Sequence, residues 1–376
     1  MSDPPFCPNA HCPHHERAPV GQSWFEYAGF YGTKAFGAVQ RFRCCTCGKN
    51  FSTQTFRLDY YVKRPRSYRR ILKRITAGSG VRSLGRDLKV SHQAVLNRLS
   101  RLARQALGVQ AQLLPTLTLQ EDLAADGFES FSSSQYEPNN IHLLVGCDSQ
   151  CLYAFDAAHL RRKGRMTAAQ KEERERREEQ AIRERVPIGT SFAQLLEPML
   201  ELLGSSSQDQ VRLLSDKKQE YATVIGEHPK LQPLIEAGRF THVQYSSHIA
   251  RTTTNPLFPV NYLDRQIRKD NANHVRETVQ FSRNLNSQLE RVAIYQLVHN
   301  CLKPYRVDHP KKRKLRHAEV AGVSRSAIKQ QLSDVFERRR FLTHLKLSWS
   351  QLLVWMRMVG NIERRTGGYW PAYVWM

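Results

Sequence analysis

Four cysteines near the start of the chain constrain its fold more than any other feature. Cys7 and Cys12 bracket Pro8-Asn9-Ala10-His11, Cys44 and Cys47 bracket Cys45-Thr46, and about thirty residues separate the two pairs. Thiolates paired on two tight turns meet the tetrahedral demand of zinc, and metal binding can replace a core too small to fold alone. The spacing predicts a structural Zn²⁺ held by Cys7, Cys12, Cys44 and Cys47 in a small zinc ribbon over residues 1–60. Cys45, inside the two-residue spacer, is expected to point away from the metal, with His11, His14 and His15 as competing ligands. Of eight cysteines in all, four so spaced fit metal binding in a reducing compartment better than disulfides.

Charge narrows the partner. The chain has 57 Lys and Arg against 34 Asp and Glu, and the excess is segregated. Residues 1–110 hold 19 basic against 5 acidic side chains, residues 303–376 hold 16 against 5, and the middle holds 22 against 24. Two basic arms around a near-neutral body point to a polyanion, and phosphate neutralisation makes such binding strongly salt-dependent. No N-terminal stretch resembles a signal peptide and no apolar run approaches the roughly 18–20 residues of a membrane span, so a cytoplasmic, nucleoid-associated protein without a membrane partner is expected.

With 376 residues the chain has room for two or three domains. The expected fold class is multidomain α/β: the zinc ribbon, an all-α segment over 61–112, a mixed-sheet domain over 117–305, and a basic helical C-terminal region over 306–376. The Pro-and-Thr stretch Leu114–Thr118 reads as a linker. Beyond it, strands are predicted at Leu123–Phe128, Ile141–Cys147, Cys151–Ala157, Val211–Asp216 and Phe240–Tyr245. A charged and then apolar helical stretch covers 166–204, and one long helix is expected from Tyr262 to about Leu302. The C-terminal Trp349, Trp355, Tyr369, Trp370 and Trp375 are expected to stabilise the body or an oligomer.

Within 61–112, Val81–Leu88 forms one short helix and Ser91 can cap a second running to about Leu107, with Val95, Leu99 and Leu102 as its inner stripe. His92, Gln93, Asn97, Arg98 and Arg101 then read as the outer face of a recognition helix, because amides address adenine edges in the major groove and Arg holds guanine or phosphate. Ser324, Ile328 and Leu332 repeat the offsets of Ser91, Val95 and Leu99, though here a capped helix packing on the body is the expectation. The basic run Lys311, Lys312, Arg313 and Lys314 is assigned to backbone phosphates.

Asp126, in Ala124-Ala125-Asp126-Gly127-Phe128, is expected at the end of the first strand of the middle domain. Asp216 ends Leu213-Leu214-Ser215-Asp216, and Glu277 falls in the first half of the long helix. Converging carboxylates suit Mg²⁺ or Mn²⁺, and two such ions can activate a nucleophile and stabilise a leaving oxygen. Glu290, Asp264 and Asp270 compete for the third place, and Asp148 and Asp156 for the first.

The cysteine pairs, Leu88–Leu99, Asp126–Phe131, Leu214-Ser215-Asp216 and Asn273–Asn284 together resemble the DDE transposases of bacterial insertion sequences. These carry a zinc ribbon and helix-turn-helix ahead of a ribonuclease H-like catalytic domain. The resemblance implies Asp126, Asp216 and Glu277 as catalytic metal ligands. It also implies double-stranded DNA (transposon ends and target) as substrate, nicking followed by strand transfer, and at least a homodimer. A DNA-binding regulator with a dead nuclease site and a metal-dependent repair nuclease are the alternative readings.

Overall fold

The computed structural model describes residues 3–179, 185–275, 278–306 and 314–359. Around the cysteines, a turn of helix, α1 (Pro13–Glu16), precedes an antiparallel sheet of β1 (Phe25–Thr33), β2 (Gly37–Cys44) and β3 (Asn50–Ser52). β1 is exposed along most of its length, so no apolar alternation marks it in the sequence. Its inner side holds an aromatic cluster of Trp24, Phe25, Phe42, Phe51 and Phe56, packed with three of the cysteines.

Three helices follow: α2 (Tyr68–Ile75), α3 (Val81–Leu88) and α4 (His92–Leu113). Ser67 and Ser91 cap α2 and α4 by accepting from the amides of Arg70 and Ala94. Lys89, in the left-handed region at φ 52° and ψ 49°, ends α3 and turns the chain into α4. α4 outruns the sequence-based boundary by two turns, and nearly all of it beyond Arg98 is buried. The expected linker is instead a 3₁₀ turn, Leu114–Thr116, followed by Leu117 and Leu119, both buried.

The central sheet is built from β4 (Leu123–Phe131), β5 (Pro138–Gly146) and β6 (Leu152–His159), an antiparallel meander. It continues through β7 (Val211–Asp216) and β8 (Phe240–Tyr245), which run parallel to β4. The spatial order is β6-β5-β4-β7-β8. Two crossovers make the parallel pairs. The first runs through α5 (Ala168–Glu179) and α6 (Ile188–Gly204), the second through α7 (Gln219–Gly226) and α8 (Gln232–Glu236).

After β8 the sequence-based expectation of one long helix is corrected. The chain forms α9 (Phe258–Asp270), a 3₁₀ turn at Ala272–His274, a loop, and then α10 (Leu285–Cys301). Buried polar side chains set the break: His274 Nδ1 lies 2.9 Å from Ser130 Oγ, and Arg291 donates to Asn273 Oδ1 at 2.8 Å. Asn284 restarts the helix by accepting from the amide of Ser287. Such side chains offer the backbone an alternative to continuous helix, without any Gly or Pro to announce it.

The C-terminal part adds α11 (His317–Val320), α12 (Arg325–Leu332) and α13 (Trp349–Met356). Between α12 and α13 the chain returns to the cysteine-bearing unit. Leu58 donates its amide to Glu337, Arg339 donates to Phe56, and Phe341 enters the aromatic cluster. One apolar core runs from Leu58 to Val359 through the helices and the central sheet. Trp355 lies in it and Trp349 is exposed, while Tyr369, Trp370 and Trp375 lie outside the described residues. No helix among the described residues is long and apolar enough to cross a membrane.

Candidate functional site

The parallel pairing of β4 and β7 ends at Ala125 and Ser215. Asp126 and Asp216 are the next residues on the two strands. β4 does not stop at Phe128, with Asp126 near its end, as the sequence predicted, but continues to Phe131 against β5. Asp126 therefore sits where β7 leaves β4.

Lys218 measures how close the two carboxylates come. Its Nζ lies 3.2 Å from Asp126 Oδ1 and 3.2 Å from Asp216 Oδ2. It also donates to the Tyr221 hydroxyl at 3.1 Å. Burial alone would lower its pKa, but Tyr221, Asp126 and Asp216 outweigh burial and raise it. Burial and the charge of Asp126 raise Asp216. Asp216 Oδ1 is buried without a hydrogen-bond partner.

A third acid comes from α9. Asp264 shares the buried face of that helix with Val260, Leu263 and Ile267. Its Oδ1 is likewise buried without a partner, and burial, then the neighbouring charge of Asp126, push it well above the ordinary carboxylate range. Arg268, one turn on, lies over the Phe128 ring at 5.4 Å and donates to the Glu129 carbonyl, tying α9 to β4. Asp216 and Asp264 thus each leave one carboxylate oxygen buried and unpartnered within the charge influence of Asp126, though among the described residues only the four cysteines come close enough together to form a ready metal-binding group.

Glu277 lies outside the described residues, and the helix expected to carry it stops at Asp270. Apart from Asp264, the competing acids are engaged elsewhere. Glu290 pairs with Arg357 at 2.7 Å, Asp270 pairs with Lys303, and Asp156 accepts from Ser350 at 3.0 Å. Asp148 sits in the β5–β6 turn, which Glu121 holds by accepting from the amides of Asp148 and Ser149.

At the other end of the chain the four predicted cysteines meet. Their sulfurs lie within 4.8 Å of one another, with Cys7–Cys47 at 3.6 Å and Cys12–Cys44 at 3.7 Å. Sulfurs held at about 2.3 Å from a tetrahedral zinc lie about 3.8 Å apart, so the set fits a metal ion. Cys45 is exposed and outside the cluster. His14 contacts Thr46, His15 contacts the Cys7 carbonyl and Thr343, and His11 is exposed. At Cys47 burial opposes ionisation, but the Lys49 amide, the Asn9 side chain and the neighbouring thiols bring it down to about 7.

On α4, His92, Gln93 and Asn97 are exposed, and Gln93 donates to Asn97 at 3.0 Å. Arg98 and Arg101 correct the sequence reading, for both point inward. Arg98 donates to the carbonyls of Ala94 and Arg64, and Arg101 to those of Leu58 and Tyr60. The loop carbonyls of Leu58, Tyr60 and Arg64 face this side of α4 and need donors, which these guanidinia supply, with the Tyr68 hydroxyl also donating to Leu58. Arg64, Arg82, Arg86, Lys89 and His92 line an open depression beside the turn. Lys311, Lys312 and Arg313 lie outside the described residues, and Lys314 is half-buried.

No model of a known protein family matches this chain, and no curated protein matches its sequence.

Proposed function

We propose that the protein is a DNA transposase of the DDE type, cutting and rejoining DNA at a divalent-metal site of Asp126, Asp216 and Asp264. One observation carries this reading: two aspartates from adjacent parallel strands converge on a single ammonium. Asp264 on α9, buried with an unpartnered oxygen and raised in part by the charge of Asp126, supports it as the third acid. Asp264, a competitor on the sequence alone, takes the third place in which Glu277 was expected. The mixed five-stranded sheet, three antiparallel strands extended by two parallel ones, is compatible with the ribonuclease H-like domain expected from the sequence and supports the same reading.

Mg²⁺ or Mn²⁺ ions bound there would activate a water or a 3′-hydroxyl and stabilise the leaving oxygen. The chain's own residues do the rest. Asp126 and Asp216 are fixed by the sheet, Asp264 by the packed face of α9, and Lys218 neutralises the pair until an ion arrives. DNA is held by the outer face of α4, with His92, Gln93 and Asn97, and by the arginines and Lys89 around the α3–α4 turn. Zinc on the four cysteines holds the ribbon. Two DNA ends must be cut together, so a homodimer or larger assembly acts on DNA.

The test is a strand-transfer assay with Mg²⁺ or Mn²⁺ on DNA carrying the sequences that flank the reading frame, with Asp216→Asn as control. Cleavage and joining by the wild type alone supports the proposal. DNA binding without cleavage indicates a regulator, cutting without joining indicates a nuclease, and either overturns it.

A further inference from the structure

The turn between α3 and α4 occurs twice in this molecule. Val90 donates its amide to the Gly85 carbonyl at 3.0 Å, and Val323 donates to Ala318 at 2.9 Å. Between donor and acceptor the chain reverses at a residue of positive φ, Lys89 in the first case and Gly322 in the second. Ser91 then accepts from Ala94 at 3.2 Å, and Ser324 accepts from Ala327 at 3.2 Å. Val95 and Ile328, at matching places, are both fully buried. The correspondence has one constant offset and holds for the small residue before the turn, the turn, the cap and the first core residue.

The same offset aligns the outer faces. Ser326 stands where Gln93 stands and Gln330 where Asn97 stands, so an amide again occupies the outward position one turn into the helix. Ser326, Lys329 and Gln330 are all exposed. Arg325, at the place of His92, is held by Glu319 at 3.7 Å. A helix that only packed on the body would have no reason to repeat this outer pattern, and the segment lies in the basic arm of residues 303–376.

We propose that residues 317–332 are a second helix-turn-helix, whose α12 contacts double-stranded DNA through Ser326, Lys329 and Gln330. The inference shares with the proposed function the premise that the protein binds DNA, and it needs no activity at the aspartates. Two such units let one chain hold two segments of duplex, or one long site, as joining DNA ends requires.

The full chain is titrated with a long mixed-sequence duplex over a range of salt, beside a Lys329→Glu, Gln330→Ala variant. Because both positions are exposed, the variant is expected to melt like the wild type. Its affinity should fall about tenfold and its salt dependence become shallower by about one phosphate contact. In the wild type, duplex DNA should also protect the Lys329 amine from acylation, a readout independent of any variant's folding. Unchanged affinity and salt dependence, with Lys329 equally reactive with and without DNA, would overturn the second unit and leave the first. A wild type that does not bind the duplex at all overturns both proposals.

Discussion

Asp126 and Asp216 carry like charges at close quarters, and Lys218 makes that tolerable in the absence of metal. Lys218→Met should therefore lower the melting temperature of the metal-free protein and tighten Mn²⁺ binding about tenfold, because no ammonium is left to displace. Melting curves and a Mn²⁺ titration check it, and equal affinity in both proteins would show that Lys218 keeps its place when an ion binds. A second buried acid makes a pH prediction. Burial pushes Asp156 from 3.8 to about 7, against the hydrogen bonds of Ser191 and Ser350. A carboxyl raised on folding favours the folded state below its unfolded value and costs stability as pH rises through the folded one. Asp156→Asn should then stabilise the protein by on the order of 1–3 kcal/mol above pH 7, with the gain fading towards pH 4. A gain of the same size at pH 5 and pH 8 would refute the assignment of that cost to Asp156.

Among the elements, α4 separates two kinds of polar residue that look alike in sequence. Arg101→Ala strands the Tyr60 carbonyl and leaves that of Leu58 to the Tyr68 hydroxyl at 3.3 Å, and should cost about 1–3 kcal/mol of stability, leaving DNA affinity of the folded protein intact. Asn97→Ala should do the reverse, losing about 1–3 kcal/mol of binding with an unchanged melt. Paired melting and binding curves on the two variants check both outcomes. The inward turn of Arg98 and Arg101 was illegible in the sequence because their partners lie on a loop far away in the chain. Strands were more legible: β7 carries the buried Val211, Leu213 and Leu214, and β8 is rich in strand-favouring Phe240, Thr241, Val243 and Tyr245, whereas β1 is solvated and shows no period. The break between α9 and α10 depends on buried Asn and His contacts that no local pattern announces. Asp264 was nonetheless readable in principle, since a carboxylate within the stripe Val260, Leu263, Ile267 has no packing reason to be there.

Across the whole molecule, the two basic arms of the sequence are joined in space. The segment around Glu337–Phe341 pairs with the loop at Phe56–Leu58 and completes the aromatic cluster beside the cysteines. Stripping the metal, or Cys44→Ser, should thus release more than the ribbon. Hydrogen exchange at the Leu58 and Arg339 amides should accelerate while the amides of β4, β5 and β7 stay protected; global acceleration would mean that the ribbon supports the entire fold. The cysteine cluster and the positions of the strands, with an aspartate on β4 and another ending β7, were foreshadowed by spacing and periodicity, because these depend on local pattern, whereas the order of the strands in the sheet does not. Lys218 was not, because only the folded sheet brings it to both carboxylates. The central claim is that Asp126, Asp216 and Asp264 hold divalent ions, and anomalous diffraction from crystals grown with Mn²⁺ addresses it most directly. The account predicts anomalous density ligated by Asp126 and Asp216 with Asp264 adjoining, and Lys218 displaced. Ordered carboxylates still bridged by Lys218, with no anomalous density between them, would contradict it.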